Sequence, residues 1–181
     1  MEKILSTTTI WQWKKLKLES CTIDFNNGLI TDFERLSFND EWNWITIIPI
    51  TADNNVILIE HFCIGSEQRE IMLPGGYREA EYNLEEIANK ELQEETGMKA
   101  STITKLMDIH ILPWYVKSKT TVCIATDLTP SVLQGDEFEN IIIHVLSRDE
   151  IMTEIEQGII NDCRTIAALM YYKNRVETRC K

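Results

Sequence analysis

The hydrophobic and polar positions of the chain alternate in twos, then run unbroken, then recur at helical spacing. TTIWQWKKLKLESCTIDF and LITDFERLSF are short alternating runs separated by Asn26-Asn27-Gly28, a strong turn signal. They predict a small antiparallel meander of three strands that ends near Asn39-Asp40. From Trp42 the β-branched runs WNWITIIPIT and NVILIEHF flank Asp53-Asn54-Asn55 and read as a hairpin. GSEQREIMLPGG adds a polar loop and a short strand that enters a glycine turn. Farther on, TITKLMDIHI, TTVCIATDL and IIIHVLS read as strands, and helices are expected over Arg148–Gln157 and Asp162–Lys173. In the last helix Ile166, Leu169 and Met170, with Tyr172 or Lys173 beyond, recur at helical spacing and read as core. The pattern divides the chain into a β appendage, 1–41, and a main α/β domain, 42–181. Three strands alone bury too little to be stable, so the appendage must pack on something. Trp11, Trp13, Phe25, Phe33 and Phe38 offer the apolar area.

The most informative stretch is LPGGYREAEYNLEEIANKELQEETGM, Leu73 to Met98. Asn83 suits an N-cap, Glu86 completes a capping box, and Gly97 is a natural stop just past the helix. With Leu84 at zero and about 100° per residue, Leu84, Ile87, Ala88 and Leu92 define an apolar side. Glu85, Glu86, Asn89, Lys90 and Gln93 fall on the solvated side, whereas Glu91, Glu94 and Glu95 land inside the apolar arc. Carboxylates turned toward a protein body repel one another and lose hydration, at a cost of several kcal/mol per ion unless compensated. A hard divalent cation removes that cost, and carboxylate oxygens are the ligands Mg²⁺ and Mn²⁺ prefer. Solvated glutamates on a good helix former are the plainer explanation; the facial placement and flanking glycines weigh against it.

At 181 residues with 44% hydrophobic content, the chain has enough material for one packed domain and a small appendage. Its 29 acidic and 18 basic residues give a net charge of −11, which argues against binding nucleic acid or anionic membranes, where a basic field supplies most of the affinity. An anionic substrate would need local help from a cation or from a few placed Lys and Arg. The five cysteines are scattered and never spaced CxxC, as expected of structural thiols in a reducing cytoplasm. No apolar run reaches the roughly 20 residues of a membrane helix, and the first residues lack the apolar stretch of a signal peptide.

The stretch resembles the Nudix box, in which Gly is followed after five residues by Glu and after seven more by Arg-Glu-U-x-Glu-Glu-x-Gly-U, with U a bulky aliphatic. Gly76, Glu91, Leu92, Glu94, Glu95, Gly97 and Met98 match in register. Tyr82 stands where the first Glu belongs and Lys90 where the Arg belongs, positions associated in the family with organising the loop and helix. Glu79 and Glu81 are candidate substitutes from the same loop. Flanking segments resemble the branch of the ADP-ribose and nucleoside-diphosphate-sugar pyrophosphatases. VILIEHFCIG with EIMLPGG is similar to that branch's signature strand, although His61, Phe62 and Cys63 replace its glutamine-tyrosine-arginine. IIIHVLSRDEI and GIINDCRTIAALMYY are similar to its closing strand and two helices.

The resemblance implies a Nudix α/β/α sandwich with a mixed sheet, a small N-terminal antiparallel β appendage that dimerises, and hydrolysis of a pyrophosphate bond. The implied substrate is a nucleoside diphosphate linked to a sugar or similar group, ADP-ribose first among them, and the implied cofactor is Mg²⁺ with Mn²⁺ as substitute. Glu91, Glu94 and Glu95 would hold metal, with the Gly75 carbonyl as a further ligand. Gly76 and Trp44 are expected substrate contacts. The general base is expected in LQGDEFEN, Glu137 first and Glu139 second, against the plainer reading of a solvated acidic turn. Where the branch usually carries an acidic loop, HILPWYVKSKTT offers Trp114, Lys117 and Lys119, either as an aromatic and cationic substrate platform or as an ordinary loop. Two other function classes remain on the page. One is a binding or regulatory module for a nucleotide-sugar, favoured by Tyr82, Lys90 and Cys63. The other is an isomerase of isoprenoid diphosphates, which Cys63 favours and the C-terminal resemblance opposes.

Overall fold

The computed structural model describes residues 1–38, 42–78, 82–135 and 140–179. The chain folds into two compact units, one formed by Met1–Asn43 with His110–Lys119 and the other by Trp44–Ile109 with Thr120–Lys181.

The first unit is built on a three-stranded meander, to which the structure adds His110–Lys119 from later in the chain. Strands β1 (Lys3–Trp13), β2 (Leu16–Asp24) and β3 (Ile30–Phe38) lie in the order β1-β2-β3, with both pairs antiparallel. The turn at Asn26 to Gly28 is set by local chemistry. Asn26 and Gly28 take positive φ of 56° and 89°, and the Asn26 N–H donates to Asp24 Oδ1 at 2.7 Å. The outer edge of β3 is covered by the excursion His110–Lys119. Leu36 N–H donates to the Tyr115 carbonyl and Lys117 N–H to the Leu36 carbonyl, each at 2.8 Å. Every residue of β1, by contrast, is exposed.

The second unit is an α/β sandwich. Strands β4 (Trp42–Pro49), β8 (Ser118–Pro130) and β7 (Met98–His110) form one sheet in the order β4-β8-β7. Strands β6 (Gln68–Met72), β5 (Val56–Cys63) and β9 (Ile142–Leu146) form another in the order β6-β5-β9. Helices α1 (Leu84–Glu95), α2 (Arg148–Glu156) and α3 (Cys163–Arg179) complete it.

The side-chain alternation of β4 shows the layering. Ile45 and Ile47 pack with Ile87, Ala88 and Leu92 of α1 and with Cys123 and Ala125 of β8. Ile48 and Ile50 face the other way, into a core with Leu58 of β5, Ile151 of α2 and Leu169 of α3. Burial on both faces explains the unbroken run of β-branched residues, which alternation alone does not predict.

One expectation is corrected. The segments read as a hairpin across Asp53-Asn54-Asn55 do make the tight turn, with Asn54 at φ 61°, but among the described residues they share only the single bridge Ile50↔Val56. They then diverge into different sheets. With both faces of each strand apolar, the sequence carries no mark of which edge each strand will pair. Among the described residues no helix is long and apolar enough to cross a membrane.

Candidate active site

Local capping fixes the helix that carries the carboxylates. Asn83 Oδ1 accepts from the N–H groups of Glu85 and Glu86 at 2.9 and 3.0 Å, and Glu86 Oε2 accepts from the Asn83 N–H at 2.9 Å. At the other end Gly97 takes φ 68°, the left-handed stop that glycine adopts without steric cost.

The glycine pair is wedged between β4 and this helix. Ile45 N–H donates to the Gly76 carbonyl and Ile47 N–H to the Pro74 carbonyl, each at 2.9 Å. A Cβ on Gly75 would intrude on the Ile45 carbonyl oxygen, so only glycine lets β4 lie this close. On the helix side, a Cβ on Gly76 would fall 2.5 Å from the carboxyl carbon and both oxygens of Glu91. The Gly75 N–H donates to Glu95 Oε2 at 2.8 Å. A third anchor comes from far along the chain. Leu73 N–H donates to Thr165 Oγ1 at 3.0 Å, and that buried hydroxyl donates to Asp162 Oδ2 at 2.8 Å. Asp162 also accepts from the Thr165 N–H at 2.9 Å, capping the first turn of α3.

Glu91, Glu94 and Glu95 are each half-buried and line one cavity of about 940 Å³, together with Trp44, Gly75, Gly76 and His61. That volume suits a small-molecule ligand. The carboxylates share its wall without converging: among the described residues no three His, Cys, Asp or Glu side chains are grouped closely enough to hold an ion. Glu95 is engaged by the Gly75 N–H. The donor set is nevertheless of the kind a hard divalent cation takes, and Gly76 leaves open the space a side chain would fill against Glu91.

The two positions that depart from the box pattern meet one another, with Lys90 Nζ 5.7 Å from the centre of the Tyr82 ring. A cation–π contact thus stands where the pattern has an acidic and a basic residue. Asn89, Lys90 and Gln93, expected on the solvated face, are half-buried, which corrects that reading. Asn89 Oδ1 accepts from the Ala100 N–H at 2.8 Å. Gln93 Nε2 donates to Ser131 Oγ at 2.8 Å, while the Ser131 and Leu133 N–H groups donate to the Gly97 and Gln93 carbonyls at 2.8 and 3.2 Å. The segment after β8 therefore lies along the end of α1, a long-range cover that a helical wheel does not register.

Trp44 lines the cavity and meets Tyr77 edge-on at a centroid distance of 6.0 Å. Trp114, Lys117 and Lys119 belong to the first unit, where Trp114 packs edge-on against Phe33 at 5.7 Å. Glu137 and Glu139 lie outside the described residues, as do Glu79 and Glu81. Sequence reading missed His61 as a lining residue and Thr165 as an anchor. The Asp162-x-x-Thr165 capping pattern was the available signal for the second; for a lone histidine in a strand there was none.

No protein-family model matches the chain. It is similar to ADP compounds hydrolase NudE of Escherichia coli (strain K12), 31% identical over 166 residues that span 92% of this chain and 88% of that one. It is also similar to ADP-ribose pyrophosphatase of Bacillus subtilis (strain 168), 24% identical over 174 residues, 94% of this chain and 91% of that one. A third relative, 25% identical with the same coverage, is methanol dehydrogenase activator of Bacillus methanolicus. A solved crystal structure of ADP compounds hydrolase matches with a TM-score of 0.87 at 29% identity, covering 98% of this chain and 95% of that one.

Proposed function

The chain belongs to the Nudix hydrolase superfamily, in the branch of the ADP-ribose pyrophosphatases, and from that premise we propose that it hydrolyses a nucleoside diphosphate linked to a sugar, with ADP-ribose the first substrate to test. The observation that carries this reading is the placement of Glu91 over Gly76 and of Glu95 on the Gly75 N–H, in a cavity that Glu94 shares.

Glu91, Glu94 and Glu95, with the Gly75 carbonyl, would hold Mg²⁺, or Mn²⁺ in its place. When bound, such an ion screens the anionic oxygens of a diphosphate and lowers the pKa of a coordinated water. The chain's own residues supply the rest. Gly76 admits the diphosphate close to the backbone, and Trp44 offers an aromatic wall. A carboxylate of the segment LQGDEFEN, Glu137 first and Glu139 second, takes the proton of the attacking water. The new P–O bond forms as the bridging P–O bond breaks. The products are a nucleoside monophosphate and a phosphorylated second moiety. Trp114, Lys117 and Lys119 remain candidates for substrate contact.

The β1 strand supports a homodimer. It combines an outer edge with exposed Ile10, Trp11 and Trp13, a surface that a second copy would cover. A reducing cytoplasm suits the four described cysteines, all of them free.

The test is product release from ADP-ribose, other nucleotide-sugars, dinucleoside polyphosphates and nucleoside triphosphates, with Mg²⁺ and with Mn²⁺, beside Glu95→Gln. Metal-dependent turnover of a nucleotide-sugar that falls by about 10²–10⁴-fold in the variant is the expected result. Absence of turnover, with a nucleotide-sugar still raising the melting temperature, would instead identify a binding module.

A further inference from the structure

A second cavity, of about 570 Å³, shares Trp44, His61 and Gly75 with the carboxylate cavity. We propose that it receives the sugar-phosphate arm of the substrate and that Arg164 is the cationic anchor for that arm. The inference rests on the pyrophosphatase reading above and adds to it a specificity-determining residue.

Two arginines line this cavity, and their surroundings differ. Arg69 is occupied by oxygens: its Nε donates to Glu60 Oε1 at 2.6 Å, and an Nη donates to the Glu60 and Asn140 carbonyls at 2.8 and 3.0 Å. Among the described residues Arg164 meets one carboxylate oxygen, Asp162 Oδ1, through Nε at 3.2 Å. Its Nη lies 3.7 Å from Met72 Sδ, a thioether and a weak acceptor. A guanidinium has five donors in a planar fork suited to paired oxygens. The side chain is held to 28% exposure in a cavity wall while part of that fork faces sulfur.

Its position on the helix makes the arrangement more telling. Arg164 sits in the first turn of α3, where the helix dipole disfavours a cation and favours an anion. The Asp162 carboxylate already caps that helix end and holds Arg164 Nε, which leaves the Nη side of the fork for a ligand. Trp44, Phe62 and Ile64 give the cavity an apolar and aromatic wall that suits the carbon faces of a sugar, and Thr46, His61 and Asn140 add polar groups for its hydroxyls. Cys63 also lines the cavity. Its thiol is pushed above its ordinary value by burial, with the nearby Glu70 adding to the effect, so it contributes no charge. Arg164 brings positive charge to the same cavity from another element.

The decisive measurement compares native protein with Arg164→Met and Arg164→Lys in the full chain, with melting temperature as a check on folding. Steady-state hydrolysis of ADP-ribose is read as kcat and KM, and AMP serves as a competitive inhibitor that lacks the arm. Loss of a charged hydrogen-bonding group predicts a KM for ADP-ribose raised by about 10–100-fold in Arg164→Met, with kcat nearly unchanged and the AMP inhibition constant unmoved. Arg164→Lys, which keeps charge without the fork, falls between. Equal weakening of ADP-ribose and AMP, or no change in either, overturns the subsite while leaving the pyrophosphatase reading intact. If native protein turns over no nucleotide-sugar, titration calorimetry with ADP-ribose and AMP replaces kinetics. Binding that is lost selectively for ADP-ribose in Arg164→Met supports the subsite even as hydrolysis fails, and no binding of either ligand overturns both.

Discussion

Strand β1 exposes all of its residues, including Trp11 and Trp13 at 51% and 64%, whereas β5 keeps Val56 through Ile59 at 4% exposure or less. Both strands are rich in apolar and β-branched side chains, and both were predicted as strands. Propensity and alternation set the local backbone in each. Burial was decided by which surfaces lie across from them, and that is a property of the whole fold. In the second unit, apolar side chains are consumed by two cores on opposite faces of β4. In β1 the same kinds of side chain stay exposed, and the homodimer proposed above would use them for association, not internal stability. Substitutions should therefore act through folding in one region and through assembly in the other.

The largest effect is expected at Gly75. Gly75→Ala forces a methyl group onto the Ile45 carbonyl oxygen, and backbone on both sides is tied by hydrogen bonds, so a loss of about 3 kcal/mol with near-abolition of activity is expected in urea unfolding and product assays. Its neighbour sharpens the point. Gly76→Ala meets the movable end of Glu91, so the protein should stay folded while activity drops by about 10–100-fold. Leu92→Ala, at 0% exposure in the α1 core, should cost about 2–5 kcal/mol in the same unfolding measurement. Trp11→Ser with Trp13→Ser should shift unfolding by no more than about 0.5 kcal/mol per site, yet change the mass measured by light scattering. A large drop in stability with unchanged mass would erase the contrast between the regions.

The smallest effect concerns acid. Glu60 is held below the usual carboxylate range by hydrogen bonds from Arg69 and His144. A depressed folded-state pKa means the stabilisation is present above the unfolded value and is lost as pH falls through the folded one. The network is largely solvent-screened, so Glu60→Gln should flatten the acid limb of a stability profile only slightly. A steeper limb in the variant would reverse the assignment.

What the sequence disclosed about the site is local. Asn83, Glu86 and Gly97 specify the ends of α1 within a few residues of themselves, and a 3.6-residue period places Glu91, Glu94 and Glu95. What it withheld depends on distant partners. Thr165 reaches Leu73 across 92 positions, and the segment near Ser131 covers Gln93 across 38. The partner edges of β4 and β5 were hidden because apolar residues on both faces erase the alternation that would distinguish them. Conversely, the Tyr82 and Lys90 departures looked like a defect in the pattern. In three dimensions the two changed side chains contact each other.

The staple between the chain after β8 and the end of α1 has an entropic meaning. A Cβ on Gly135 would lie 3.4 Å from the Glu94 Cβ, and Ser131 and Leu133 hang on Gln93 and Gly97, so this segment and the last turns of α1 hold one another in place. Each tie shortens the loop that the next must close, so the helix end that carries Glu91, Glu94 and Glu95 is kept from fraying at little further entropic cost.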